Sequence, residues 1–153
     1  FQLTHRFFHE FFANKIRQDL TEDIIIFNEF SKMHFIKILR FSNNNIDDSG
    51  FLNLIEIISN CEFLQEIEVS DNKITAQSIS FLSRYFIKEK KMIYLEKIIL
   101  CKNLIESVYI KDFFKNSFEN LLYLQYIDLS DNYIDNDCLM YLDLTVKTMT
   151  KPY

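Results

Sequence analysis

Apolar residues recur along this chain in one short pattern, written four times. The copies are Ile36-x-x-Leu39-x-Phe41-x-x-Asn44-x-Ile46, Leu64-x-x-Ile67-x-Val69-x-x-Asn72-x-Ile74, Leu95-x-x-Ile98-x-Leu100-x-x-Asn103-x-Ile105 and Leu124-x-x-Ile127-x-Leu129-x-x-Asn132-x-Ile134. Their first residues stand 28, 31 and 29 positions apart. A repeat at nearly fixed period decides architecture before local propensity does, because each unit buries its apolar side only by stacking on its neighbours. Each copy predicts a short strand, in which side chains alternate between faces. The fourth and sixth positions point inward and are apolar throughout, whereas the third and fifth point to solvent. The Asn at the ninth position follows the strand where the chain turns away. Its amide carries an acceptor and two donors, so it can satisfy backbone groups that a buried turn leaves unpaired. Asn44, Asn72, Asn103 and Asn132 are expected to stack as an interior ladder.

Between the strands the spacing predicts helices over 49–59, 76–88, 107–116 and 136–146. Asp47, Thr75, Glu106 and Asp135 stand just past each strand unit, placed to cap the next helix or to complement its positive end. Three residues before each unit come Met33, Cys61, Met92 and Leu121, and six before come Phe30, Ile58, Glu89 and Phe118. Only Glu89 breaks these apolar columns. It lies in the longest repeat, where a solvated helix end or bulging loop is expected. Ahead of the first unit, residues 23–32 predict one helix, and residues 3–20 predict another with Phe7, Phe8, Phe11, Phe12, Ile16 and Leu20 on one face. That aromatic face either caps the first repeat or docks on a partner or on upstream chain.

Four consecutive matches resemble the leucine-rich repeat, in its long, helix-containing, ribonuclease-inhibitor-like class, over about residues 23–144. The resemblance implies an α/β fold: a leucine-rich-repeat solenoid, or horseshoe arc, with a short parallel sheet on the concave face and helices on the convex face. Adjacent strands sit about 4.8 Å apart and packed helices about 8–10 Å, so such a stack must curve with its strands inside. The expected organisation is an amphipathic capping or docking helix over 1–22, a four-rung solenoid over 23–146 and a polar tail over 147–153.

Composition changes this picture little. With 153 residues, 48% hydrophobic and 25% charged, the chain suits one soluble domain. A net charge of −5 argues against a general binder of nucleic acid or anionic membrane. No apolar run approaches the roughly 18 residues of a membrane span. The first residue is Phe1 rather than Met, as in a segment of a longer polypeptide. A single glycine, Gly50, excludes a glycine-rich phosphate loop. No cofactor and no small-molecule substrate is expected.

Other chemistry reads as structure. Ser-Asp-Asn, a triplet also found in serine β-lactamases, occurs at Ser70 and Ser130 but forms the turn of a repeat each time. His5 and His9 stand one helical turn apart, yet Arg6 occupies the place where a zincin has Glu, and a third ligand is not evident. Cys61, Cys101 and Cys138 match neither a zinc pattern nor a disulfide framework. With no signal peptide visible in these residues and no Asn-x-Ser/Thr acceptor among them, the expected compartment is intracellular and reducing, cytoplasmic in preference to nuclear.

Function is therefore sought on the concave face. Its outward positions include Lys37, Ile38 and Arg40; Gln65, Glu66 and Glu68; Glu96, Lys97 and Ile99; and Gln125, Tyr126 and Asp128. Repeat one is basic, repeats two and four are acidic, and Tyr126, Ile38 and Ile99 supply anchors of the kind found in binding hot spots. The family resemblance implies a non-enzymatic interaction module whose partner is another protein or a multi-subunit complex. Two alternatives stay open: a ribonucleoprotein component touching RNA through Lys37 and Arg40, and a regulator of a small GTPase.

Overall fold

The structure, a computed structural model, describes residues 36–59, 61–86, 92–117, 120–138 and 140. The segments at 3–20 and 23–32, the His5 and His9 pair, Glu89, most of 136–146 and the tail at 147–153 lie outside the described residues.

Four three-residue strands form one parallel sheet in sequence order: β1 (Ile38–Arg40), β2 (Glu66–Glu68), β3 (Lys97–Ile99) and β4 (Tyr126–Asp128). Each covers the third to fifth positions of its repeat. The register is that of the repeat itself: Ile38, Glu66, Lys97 and Tyr126 lie side by side, then Leu39, Ile67, Ile98 and Ile127, then Arg40, Glu68, Ile99 and Asp128. A one-residue slip would turn every core residue to solvent, so the apolar alternation specifies this pairing. Parallel neighbours need a crossover, and among the described residues each crossover carries an α-helix: α1 (Asp48–Ile58), α2 (Ala76–Arg84) and α3 (Ile110–Ser117).

Strand and helix residues share one core. Leu39, Phe41, Ile67, Val69, Ile98 and Leu100 are each 4% exposed or less, and they join Phe51, Ile55, Ile58, Ile79, Leu82, Phe113 and Phe114 from the helices. Phe113 lies edge-on to Phe114 with ring centres 5.2 Å apart, and Phe86 packs 6.1 Å from it. Cys61, Met92 and Leu121 are buried just before their strands. Burial pushes the Cys61 thiol up to about 11, so it stays neutral and behaves as a small apolar side chain. The fourth repeat is the outermost described layer, and Leu124, Ile127, Leu129 and Ile134 are only half-buried.

Helix starts follow the cap chemistry at three places of four. Asp47 Oδ1 accepts from Gly50 N at 2.9 Å, Thr75 Oγ1 from Gln77 N at 3.2 Å, and Asp135 Oδ1 from Cys138 N at 2.8 Å. Glu106 departs from the cap expectation. Its backbone forms a bridge with Tyr133, residues 107–109 make a turn in which Tyr109 has φ 71°, and α3 begins only at Ile110. Ser107 serves the next repeat instead, its Oγ accepting from Asp135 N at 2.8 Å. The second helix is α-helical over Ala76–Arg84 and continues as a π turn at 85–86, and the rest of the span expected for it lies outside the described residues. Asp48 joins two helix starts: its carboxylate accepts from Thr75 N at 2.9 Å, from Thr75 Oγ1 at 2.7 Å and from the Ser78 hydroxyl. Burial raises the Asp48 pKa, but these hydrogen bonds outweigh it and hold the carboxyl below its ordinary range.

Each strand exit uses one device. Asn72 Nδ2 donates to Val69 O and Ser70 O of its own turn and to Phe41 O of the preceding repeat, while its Oδ1 accepts from Ile46 N. Asn103 does the same with Leu100 O, Cys101 O, Val69 O and Ile74 N, and Asn132 with Leu129 O, Ser130 O, Leu100 O and Ile105 N. Asn44 donates to Phe41 O and Ser42 O. One side chain thus closes its own turn and ties it to the repeat before.

The residue ahead of each of these asparagines is left-handed: Asn43 (φ 58°), Asp71 (φ 55°), Lys102 (φ 54°) and Asp131 (φ 53°). Asn and Asp tolerate this region better than most residues with a Cβ; Lys102 has no such advantage. Lys102→Asn should therefore stabilise the fold by about 0.5–1 kcal/mol, read as a higher urea midpoint at unchanged slope. An equal or lower midpoint would show that strain at this turn is not limiting.

Candidate interaction surface

The solvent face of the sheet carries the third and fifth positions, and there the charges pair across strands. Arg40 Nη2 lies 2.7 Å from Glu66 Oε1, and Arg40 Nε lies 2.9 Å from the same oxygen and 3.0 Å from Glu68 Oε2. Lys97 Nζ approaches Glu66 Oε2 at 3.8 Å from the other side, and Ser42 Oγ donates to Glu68 Oε1 at 2.9 Å. Flanked by two cations, Glu66 is only 7% exposed although it lies on the face turned from the core. Arg40, Glu66, Glu68 and Lys97 thus form one cross-strand network with alternating signs. A buried carboxylate needs such partners, since an unpaired charge there is strongly disfavoured.

The remaining sequence candidates separate into two groups. Tyr126 is exposed on β4, and its hydroxyl donates to Asp128 Oδ2 at a long 3.4 Å. Asp128 Oδ1 also accepts from Ser130 Oγ at 2.6 Å and Ser130 N at 2.9 Å; these bonds hold its carboxyl below the ordinary range, and its charge raises the Tyr126 hydroxyl. Ile38 and Ile99 are half-buried on the same face. Lys37 and Glu96, by contrast, precede their strands at the edge where the chain enters the sheet. The carbonyl of each accepts two amides of the next repeat. The ten residues thus divide into a charge network, a Tyr126 and Asp128 pair, two aliphatic side chains and an edge.

One surface feature escaped the reading of the strands alone. Immediately before the first positions of repeats two to four stand Phe63, Tyr94 and Tyr123, all exposed. Phe63 and Tyr94 are stacked with centroids 6.3 Å apart and planes at 19°, and Tyr94 and Tyr123 are 5.4 Å apart at 38°. Exposed Ile93 and Leu122 precede the last two rings. The signal was an aromatic column one place ahead of each repeat. On the opposite edge Leu104 and Tyr133, both at the tenth position, are exposed as well.

Little else on the described surface suggests chemistry. A shallow groove of about 200 Å³ between α1 and α2 is lined by Leu52, Glu56, Phe81, Arg84 and Tyr85, with the Arg84 guanidinium 5.9 Å from the Phe81 ring centre. Ser70 and Lys73 have Ser-x-x-Lys spacing, but Ser70 is buried, its Oγ accepts from Cys101 Sγ at 3.2 Å, and Lys73 is exposed. Among the described residues no three His, Cys, Asp or Glu side chains are grouped to hold a metal ion. No described helix is long and apolar enough to cross a membrane.

Two segments, residues 32–54 and 60–83, match a family model described as "Leucine Rich repeat". Each takes in one strand unit and most of the helix after it. No curated protein matches the chain as a relative. Among solved structures it is similar to an internalin (inlF) from Listeria monocytogenes str. 4b F2365, at 22% identity and a TM-score of 0.45. That match covers 73% of this chain and 34% of the internalin, so the chain spans about a third of that protein's length.

Proposed function

We propose that the chain is a leucine-rich-repeat solenoid working as a non-enzymatic interaction module, a subunit or accessory factor that presents the concave face of its sheet to another protein. Repeat spacings of 28, 31 and 29 residues, with a helix in each described crossover, favour its place in the long, ribonuclease-inhibitor-like class. The observation that carries the functional reading is the cross-strand network of Arg40, Glu66, Glu68 and Lys97. It holds charged side chains in fixed positions on a rigid sheet, next to exposed Tyr126. Pre-ordered side chains lose less entropy on binding, and an aromatic beside fixed charges supports both affinity and partner discrimination.

The same network favours protein over RNA as the partner. The Arg40 guanidinium is already engaged by two carboxylates, and neutralising phosphates would require breaking those contacts.

Tyr126→Ala with Asp128→Lys tests the reading, since both side chains lie on β4 outside the buried part of the network. The wild-type chain should retain a specific protein from its native source, and the double variant should lose it while its helical circular dichroism stays intact. Undiminished retention by a folded double variant would move the site off this face.

A further inference from the structure

The joint between successive repeats is made three times with the same hydrogen bonds. In each, the second-position carbonyl (Lys37, Gln65 or Glu96) accepts two amides of the following repeat. The sixth- and eighth-position amides donate forward, as Leu100 N does to Asp128 O at 2.8 Å and Lys102 N to Ser130 O at 3.0 Å. The asparagine of the following repeat then closes the joint: Asn132 donates to Leu100 O and accepts from Ile105 N, both at 3.0 Å.

Each end of the described stack shows one half of this joint open. On the fourth repeat, Gln125 O and the amides of Leu129, Asp131 and Ile134 have no partner among the described residues. On the first, Asn44 donates only within its own turn, and its Oδ1 accepts from no described residue. Exposure agrees, since Asn72 and Asn103 are buried whereas Asn44 and Asn132 are half-buried. We infer that the two halves meet between copies of this chain, the first repeat of one stacking on the fourth repeat of another. In that contact β1 extends the parallel sheet beyond β4 in the register of the repeat, and Asn44 closes the joint on Leu129 O and Ile134 N.

Charge selects a second copy as the occupant, and head to tail as its arrangement. The unit at 36–46 carries Lys37 and Arg40 and no acid, whereas the unit at 124–134 carries Asp128 and Asp131 and no base. In the shared register Arg40 falls beside Asp128, as it falls beside Glu68 within one chain, where Nε lies 3.0 Å from Oε2. The bonds to Glu66 and Glu68 use Nε and Nη2 and leave Nη1 for that contact. Two copies joined through their fourth repeats would bring together ends that both carry only acid, so like charges oppose a symmetric dimer.

Apolar cover adds to this at one end. Leu124, Ile127, Leu129 and Ile134 are half-buried, whereas Leu95, Ile98, Leu100 and Ile105 one repeat earlier are at most 1% exposed. At the first repeat Ile36, Leu39, Phe41 and Ile46 are already buried, so that end contributes its strand edge, its turn and its charges. Because the contact uses different patches on the two copies, it leaves a free end on each side and grows into open stacks.

Sedimentation velocity on the full chain tests this. Over about a hundredfold range of concentration the average mass should rise without stopping at a dimer. Raising the salt should reduce it, because the paired charges are exposed. Asn44→Ala and Asp131→Lys should each weaken self-association about tenfold. Lys102 already adopts the backbone conformation of Asp131, so that turn accepts a lysine. An equimolar mixture of the two variants should form a dimer and stop there, since it holds one intact first repeat and one intact fourth repeat per pair. Circular dichroism checks folding, and Lys37→Gln replaces Asn44→Ala if that variant is unfolded.

Four outcomes would overturn the inference: the chain stays monomeric throughout the range; it stops at a dimer; salt leaves its association unchanged; or the mixed variants form no dimer. Partner retention by the β4 face and self-association are separate measurements on different variants, so the two readings fail separately.

Discussion

Phe113→Ala should destabilise the protein by about 3–5 kcal/mol, the range for removing a fully buried phenylalanine ring. Phe113 is 1% exposed and lies on α3 between the rings of Phe86 and Phe114. Its ring fills the layer joining the third repeat to the second, so its loss leaves a cavity that two aromatic neighbours cannot both move to close. Urea denaturation of the variant and the wild type provides the measurement. A loss under about 1 kcal/mol would mean that the ring is not part of a packed layer.

Asn103→Ala should lower stability by roughly 1–3 kcal/mol, and the manner of unfolding should change with it. The Asn103 side chain serves Val69 O, Leu100 O and Cys101 O and accepts from Ile74 N, inside a turn where the residue is 4% exposed. Alanine leaves these groups short of partners where water does not reach. Because repeats interact only with their neighbours, weakening the joint between the second and third should let the two halves of the stack unfold separately. Asn132→Ala should be milder, since that turn is half-exposed and water can replace the lost bonds. Equal losses at Asn103 and Asn132, with one sharp transition in both, would count against this view of the joint.

The β4 face and the two repeat ends are read by binding rather than by stability. The side chains replaced there are exposed or half-buried, and surface substitutions usually change stability by less than about 0.5 kcal/mol. Binding defects there can therefore be separated from folding defects.

Much of the fold was legible from residue order because the repeat carries its information locally. The spacing from Ile36 to Leu64, Leu95 and Leu124 gives the number of strands, their parallel direction and their register, since side chains that alternate with period two can meet a stack in one way. Core residues followed for the same reason: Leu39, Ile67 and Ile98 occupy equivalent places and meet equivalent neighbours. Cap residues were legible where the helix began at once, as after Asp47 and Thr75. They were not after Glu106, because the turn at 107–109 consumes three residues that the periodicity assigned to a helix.

The surface was less legible, and Glu66 shows why. Alternation places it on the solvent face of β2, and nothing within its own repeat says that it is covered. Its burial depends on Arg40, 26 residues earlier, and on Lys97, from the repeat that follows, reaching over it from the two neighbouring strands. The exposed aromatic column has the same origin. Phe63, Tyr94 and Tyr123 are single aromatics in three separate turns, and they become a surface only when stacking brings their rings to 5.4 and 6.3 Å. Periodicity along one strand therefore specified which side of the sheet each residue faces. Which side chains touch across strands, and so which charges are paired and which rings form a patch, came from the stacking of separate repeats, because those distances are set between backbones far apart in sequence.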